Sequence, residues 1–122
     1  MAKILLAEDE EVLRMLVVDT LEDEGHDIVE TSDGEEALKR MEEEAFDLII
    51  LDYMMPMLTG LEVIEHMKLI PERKDSKILM LSAKSQKADQ ERVLQAGATH
   101  FMAKPFSPME LARKVEEIIS EN

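Results

Sequence analysis

Apolar residues along the chain fall into two alternating rhythms. Lys3–Ala7 (KILLA), Asp47–Leu51 (DLIIL) and Lys77–Leu81 (KILML) are short and almost continuously apolar. Such runs mark strands buried on both faces of a parallel sheet. Asp27–Thr31 is less apolar and reads as an edge strand, and Thr99–Met102 as a short fifth strand. The stretches between them carry apolar residues at helical spacing: Leu13, Val17 and Leu21; Leu38, Met41 and Ala45; Leu61, Ile64 and Met67; Leu111, Val115 and Ile119. Helix-start signals precede three of these stretches. Ser32-Asp33-Gly34-Glu35, Thr59-Gly60-Leu61-Glu62 and Ser107-Pro108-Met109-Glu110 each match a capping box, the last with proline at the first helical position. Gly25 and Gly97 stand where helices should stop.

Strand and helix thus alternate five times. With right-handed crossovers this predicts an α/β fold: a (βα)5 doubly wound, three-layer sandwich on a five-stranded parallel sheet. No repeat, low-complexity tract or linker interrupts the pattern, so residues 1–122 read as a single domain with no output domain. In such a sheet ligands bind outside the carboxyl ends of the strands, near a topological switch point.

The residues at those ends carry chemistry. Glu8-Asp9 follows the first apolar run, Asp52 the third, Ser82-Ala83 the fourth and Lys104-Pro105 the fifth. If the first and third strands are neighbours, three carboxylates converge. Like charges so close raise one another's pKa and oppose folding. A hard divalent cation relieves the repulsion, and Mg²⁺ suits a few carboxylates with waters and a phosphate. Lys104 adds a positive charge, Ser82 a hydroxyl donor, and Ala83 is expected to keep the floor small. Together these parts form a phosphoryl-transfer site in which a carboxylate is the nucleophile. Singly, each has an ordinary explanation as a first-turn acid, a turn serine or a solvated lysine. Jointly, five such residues gathered at strand ends do not.

The combination resembles the receiver domain of two-component response regulators (the CheY-like family) over essentially the whole chain. That family has an acidic pair after the first strand, here Glu8-Asp9, and a phosphoacceptor ending the third, here in Leu51-Asp52-Tyr53-Met54-Met55-Pro56, with Gly60 farther on. Ser82-Ala83 and Lys104-Pro105-Phe106 match its remaining motifs. The resemblance implies strand order 2-1-3-4-5, with Asp52 as phosphoacceptor. It implies Mg²⁺ (or Mn²⁺) on Asp9, Asp52 and the Met54 backbone carbonyl, with Glu8 acting through water. Lys104 and Ser82 would contact the phosphoryl group, Phe101 would be the aromatic switch, and the Lys104–Pro105 bond would be cis. The phosphoryl group would come from a sensor histidine kinase or histidine phosphotransfer protein. The face built from the fourth helix, fifth strand and fifth helix would carry the output to an unidentified protein target. Such a domain would catalyse only its own phosphorylation and dephosphorylation. The chain departs from the pattern in having Glu before Asp9 and Thr59 where Asp is common before Gly60.

Composition narrows the picture further. Formal net charge is −14, so direct contact with nucleic acid or anionic membrane is disfavoured. There is no cysteine and no apolar run of membrane-spanning length, which points to the cytoplasm. Val12 and Met15 fall off the buried stripe of the first helix and are candidates for partner docking. The fourth helix carries little apolar content beyond Ala88, Val93 and Leu94, as a switching element requires. Two other classes fit less well. A Mg²⁺-dependent aspartyl-phosphate phosphatase needs a second acid two residues after its nucleophile, where Met54 stands. A flavin-binding module needs a Ser/Thr/Gly-rich loop after the first strand, where the acids are.

Overall fold

The computed structural model describes residues 1–121. Its elements run β1 (Lys3–Ala7), α1 (Glu11–Asp23), β2 (Asp27–Thr31), α2 (Gly34–Glu43), β3 (Leu48–Asp52), α3 (Gly60–Met67), β4 (Ile78–Ser82), α4 (Lys87–Ala96), β5 (His100–Ala103) and α5 (Pro108–Ile119). The strands form one parallel sheet in the order β2-β1-β3-β4-β5, as expected. The order reverses between β1 and β3, which places the ends of those two strands side by side.

Strand alternation divides the core into two layers. Leu5, Ala7, Ile49, Leu51, Ile78 and Met80 face α2, α3 and α4, packing on Ala37, Met41, Val63, Ile64, Met67 and Val93. Ile4, Leu6, Leu48, Ile50, Leu79 and Leu81 face α1 and α5, packing on Val17, Leu21, Leu111, Val115 and Ile118. Every residue of β3 and β4 is buried. Each fully buried Leu or Ile in these strands contributes about 2 kcal/mol of transfer free energy.

Three local readings shift. β3, β4 and β5 begin and end one residue later than their apolar runs suggest. Asp52 pairs with Leu81 and Ser82 with Ala103, so the ladder continues through polar residues. The cap of α2 is Asp33, not Ser32: its carboxylate accepts from Glu36 N at 2.8 Å. With the start fixed there, α2 buries Ala37 and Met41, while Leu38 is half-buried and Ala45 lies beyond the helix, exposed. The boxes at Thr59 and Ser107 form as read, with both reciprocal hydrogen bonds. Gly97 ends α4 at φ +127 and Gly25 follows α1 at φ +89, backbone conformations that L side chains rarely adopt.

Candidate functional site

Glu8, the first residue past β1, is fully buried. Its backbone N–H donates to Thr31 O on the neighbouring strand at 3.2 Å, and its Oε2 accepts from Glu10 N at 3.1 Å. Asp9 is exposed and Asp52, closing β3, is buried. One carboxylate oxygen from each of Glu8, Asp9 and Asp52 can be chosen so that all three lie within 4.8 Å of one another. Three acids from two distant stretches of sequence therefore share one crevice at the switch point.

Lys104 enters from the end of β5. Its backbone N–H donates to Ser82 O at 2.9 Å, which holds the β5 end against β4, and the Lys104–Pro105 bond is cis. Its ammonium donates to Asp52 Oδ1 at 2.9 Å and to Glu8 Oε1 at 3.1 Å. Ser82 is buried, and its Oγ accepts from Lys84 N at 2.9 Å. That bond uses an oxygen lone pair and leaves the hydroxyl proton available to donate.

Burial pushes the Glu8 carboxyl up to about 7, and the charge of Asp52 adds to it; the Glu10 N–H and Lys104 pull the other way. Burial pulls the Lys104 ammonium down, but the hydrogen bond and charge of Asp52, then those of Glu8, outweigh it and hold the group above its ordinary value. The site is therefore short of positive charge: one ammonium serves two buried acids, and Glu8 retains a proton near neutrality.

Other expected residues surround this centre. Met54 is 59% exposed on the loop after β3. Phe101 is half-buried and packs against the core layer under α2, α3 and α4. Val12 and Met15 on α1 are 77% and 55% exposed. An apolar cleft at Val12 is lined also by Leu13, Leu16, Pro105 and Phe106 and bounded by Glu10 and Lys104. Ala83 is exposed and lines this cleft together with Lys104. In α4 only Val93 is buried, while Ala88 and Leu94 are exposed.

Two residues acquire a geometric meaning that their letters did not show. Gly60 N donates to Tyr53 O at 2.9 Å, folding the β3–α3 loop back on itself. A Cβ on Gly60 would stand 2.7 Å from Asp52 O and 2.7 Å from Met80 Sδ, so only glycine lets the loop close over the end of β3. Arg14, in the second turn of α1, donates to the carbonyls of Glu8 at 2.8 Å and Asp9 at 3.4 Å.

A parallel sheet with crowded acids, a lysine and a buried serine at its carboxyl end defines a class of phosphate-handling signalling domains. The family model for the response regulator receiver domain matches residues 4–116, and the chain belongs to that family. It is 44% identical, over 96% of its length, to the alkaline phosphatase synthesis transcriptional regulatory protein PhoP of Bacillus subtilis, and covers 48% of that protein. It is 36% identical to the phosphate regulon transcriptional regulatory protein PhoB of Escherichia coli, covering 96% of this chain and 51% of PhoB. The chain thus spans about half the length of the curated relatives it matches. Among solved structures it superposes on the chemotaxis response regulator CheY4 of Vibrio cholerae with TM-score 0.92 and 33% identity, covering 97% of this chain and 98% of that one. It also superposes on the receiver domain of the sensor histidine kinase PA1611 of Pseudomonas aeruginosa, described with a magnesium ion coordinated in its active site cleft, with TM-score 0.90, 29% identity and 98% of both chains covered. The protein is a receiver domain of two-component signal transduction. Among the described residues no helix is long and apolar enough to cross a membrane.

Proposed function

We propose that residues 1–122 act as one receiver unit in which Asp52 accepts a phosphoryl group from a phosphohistidine. The donor is a sensor histidine kinase or a histidine phosphotransfer protein, and the reaction requires Mg²⁺ (or Mn²⁺). The observation that carries this reading is the convergence of Glu8, Asp9 and Asp52 on one crevice with Lys104 between two of them.

The donor set fits a hard cation. It offers only carboxylate oxygens, two of them on buried residues, and the excess negative charge has one ammonium against it. Asp9, Asp52 and the Met54 backbone carbonyl would hold the ion, with Glu8 acting through water. When bound, the ion neutralises charge on the phosphoryl oxygens.

The remaining work belongs to the chain's own side chains. An Asp52 carboxylate oxygen attacks phosphorus, forming a P–O bond as the P–N bond to imidazole breaks. The departing nitrogen keeps the bonding pair. Lys104, already on Asp52 Oδ1, transfers its hydrogen bond to a phosphoryl oxygen. Ser82 offers the same group its free hydroxyl proton. Hydrolysis of the aspartyl-phosphate by water at the same site returns the carboxylate, so the domain turns over only itself. Movement of Ser82 toward the phosphoryl group gives Phe101 room to turn inward, altering the face formed by α4, β5 and α5 for a protein partner. With net charge −14, these residues do not themselves bind nucleic acid or anionic membrane.

Amide spectra recorded with beryllofluoride and Mg²⁺ test the reading. Shifts should appear at Ser82, Phe101 and along α4, and should vanish in Asp52→Ala. Spectra unchanged by the mimic in the unsubstituted protein would remove the reading.

A further inference from the structure

We infer that Arg14 is the positioning residue of the acidic crevice. It acts on the backbone of Glu8 and Asp9 and so sets how tightly the site takes a divalent cation; the inference rests on the cation-binding reading given above. Arg14 lies in the second turn of α1, and long helical side chains point back toward the helix N-terminus. Its guanidinium therefore reaches over the β1–α1 loop. One nitrogen, Nη1, donates to Glu8 O at 2.8 Å and lies 3.4 Å from Asp9 O, so it ties two consecutive peptides. On the other side Nε stands 3.4 Å from Glu30 Oε1, on the strand that pairs with β1. The side chain is only 18% exposed.

The geometry assigns this residue work that α1 itself leaves undone. Glu10, at the start of the helix, makes no side-chain cap, and no side chain of the first turn fixes the loop. The loop nevertheless directs two adjacent acids into one crevice against their mutual repulsion. On the far side of the loop, Glu8 N is held by Thr31 O and Glu8 Oε2 by Glu10 N. The Glu8 and Asp9 carbonyls have Arg14. A planar fork with fixed donors can serve both carbonyls and Glu30 together, whereas an ammonium on a flexible stem cannot hold the same three directions. Arg14 touches no carboxylate of the crevice. Its effect passes through the peptide planes that carry Glu8 and Asp9, and outer groups of this kind typically change metal affinity by about 10–100-fold.

The test measures Mn²⁺ dissociation constants by electron paramagnetic resonance, beside thermal unfolding in chelator. The proteins are the unsubstituted chain, Arg14→Met, Arg14→Lys and Asp52→Asn. Arg14→Met keeps the aliphatic bulk and removes the donors. It should weaken Mn²⁺ about tenfold at a temperature where it is fully folded. Arg14→Lys should recover less than half of that loss on a logarithmic scale, because it restores charge without the fork. An Arg14→Met affinity within twofold of the unsubstituted chain overturns the inference, whatever happens to its unfolding midpoint. Full rescue by Arg14→Lys overturns it as well, since charge alone would then suffice. Failure of the underlying reading looks different: the unsubstituted chain would bind Mn²⁺ no better than Asp52→Asn.

Discussion

Lys104 Nζ stands 2.9 Å from Asp52 Oδ1, and the same ammonium is 3.1 Å from Glu8 Oε1. One cation therefore bridges the ends of β1 and β3, and among the described residues it is the only side-chain cation paired with a carboxylate of this cluster. The arrangement holds the proposed nucleophile in place while leaving a net deficit of positive charge, and that deficit is what a divalent ion would fill.

Removing the ammonium should expose the deficit. Lys104→Met leaves two buried carboxylates without their partner, and breaking a buried ion pair from one side costs about 3 kcal/mol. Chemical denaturation of the metal-free protein should show a loss of this size, and Mg²⁺ should restore most of it. An unchanged unfolding midpoint without metal would mean that the pair holds nothing together.

Glu8 makes stability and metal affinity depend on pH in opposite senses. Its folded-state pKa, about 7, lies above the ordinary value of 4.5, so folding takes up a proton between these values. The contribution of this group to stability is fully present below about 4.5 and is lost as pH rises through about 7. Mg²⁺ requires the charged form and displaces that proton, so its affinity should rise as pH approaches 7 and then level off. Thermal shifts with and without Mg²⁺ across this range check both slopes. Glu8→Gln should flatten them, and retention of the full slopes in that variant would assign them to another group.

The close approach at Gly60 predicts a specific intolerance. Gly60→Ala drives a methyl group into Asp52 O and Met80 Sδ, both 2.7 Å from the built position, and the carbonyl cannot move without displacing the end of β3. Overpacking of this kind costs about 1–3 kcal/mol. Gly25→Ala is the comparison: its Cβ meets nothing within 4 Å, so only its φ of +89 opposes the change, at about 1 kcal/mol. Denaturant midpoints should rank Gly60→Ala below Gly25→Ala, and Gly60→Ala alone should also weaken Mg²⁺ binding. Equal effects on metal binding would detach Gly60 from the site.

The sheet was legible because burial on both faces writes itself as apolar runs. The acids, Ser82 and Lys104 were legible because each interrupts a run at its carboxyl end. What the letters hid was relational. Strand pairing extends through Asp52 and Ser82 because backbone hydrogen bonds do not require apolar side chains. Ser32 and Asp33 are both competent caps, and the start at Asp33 leaves Met41 buried as read but buries Ala37 in place of Leu38 and Ala45. Arg14 has carbonyls as partners, and every residue has a carbonyl, so no pattern announces it.

Met15, exposed on α1, separates partner docking from chemistry. Met15→Glu should slow phosphoryl transfer from a phosphohistidine protein about tenfold, the equivalent of 1.4 kcal/mol at an interface. Labelling by acetyl phosphate should be unaffected, since that donor needs no docking surface. Parallel rate measurements with the two donors decide it, and equal slowing with both would place Met15 in the chemistry.

The most direct test of the account is intact-mass analysis after incubation with acetyl phosphate, with Mg²⁺ or with chelator, on the unsubstituted chain and on Asp52→Ala. One phosphoryl group should be gained only where Mg²⁺ and Asp52 are both present. The same gain in chelator or in Asp52→Ala, or none under any condition, would contradict it.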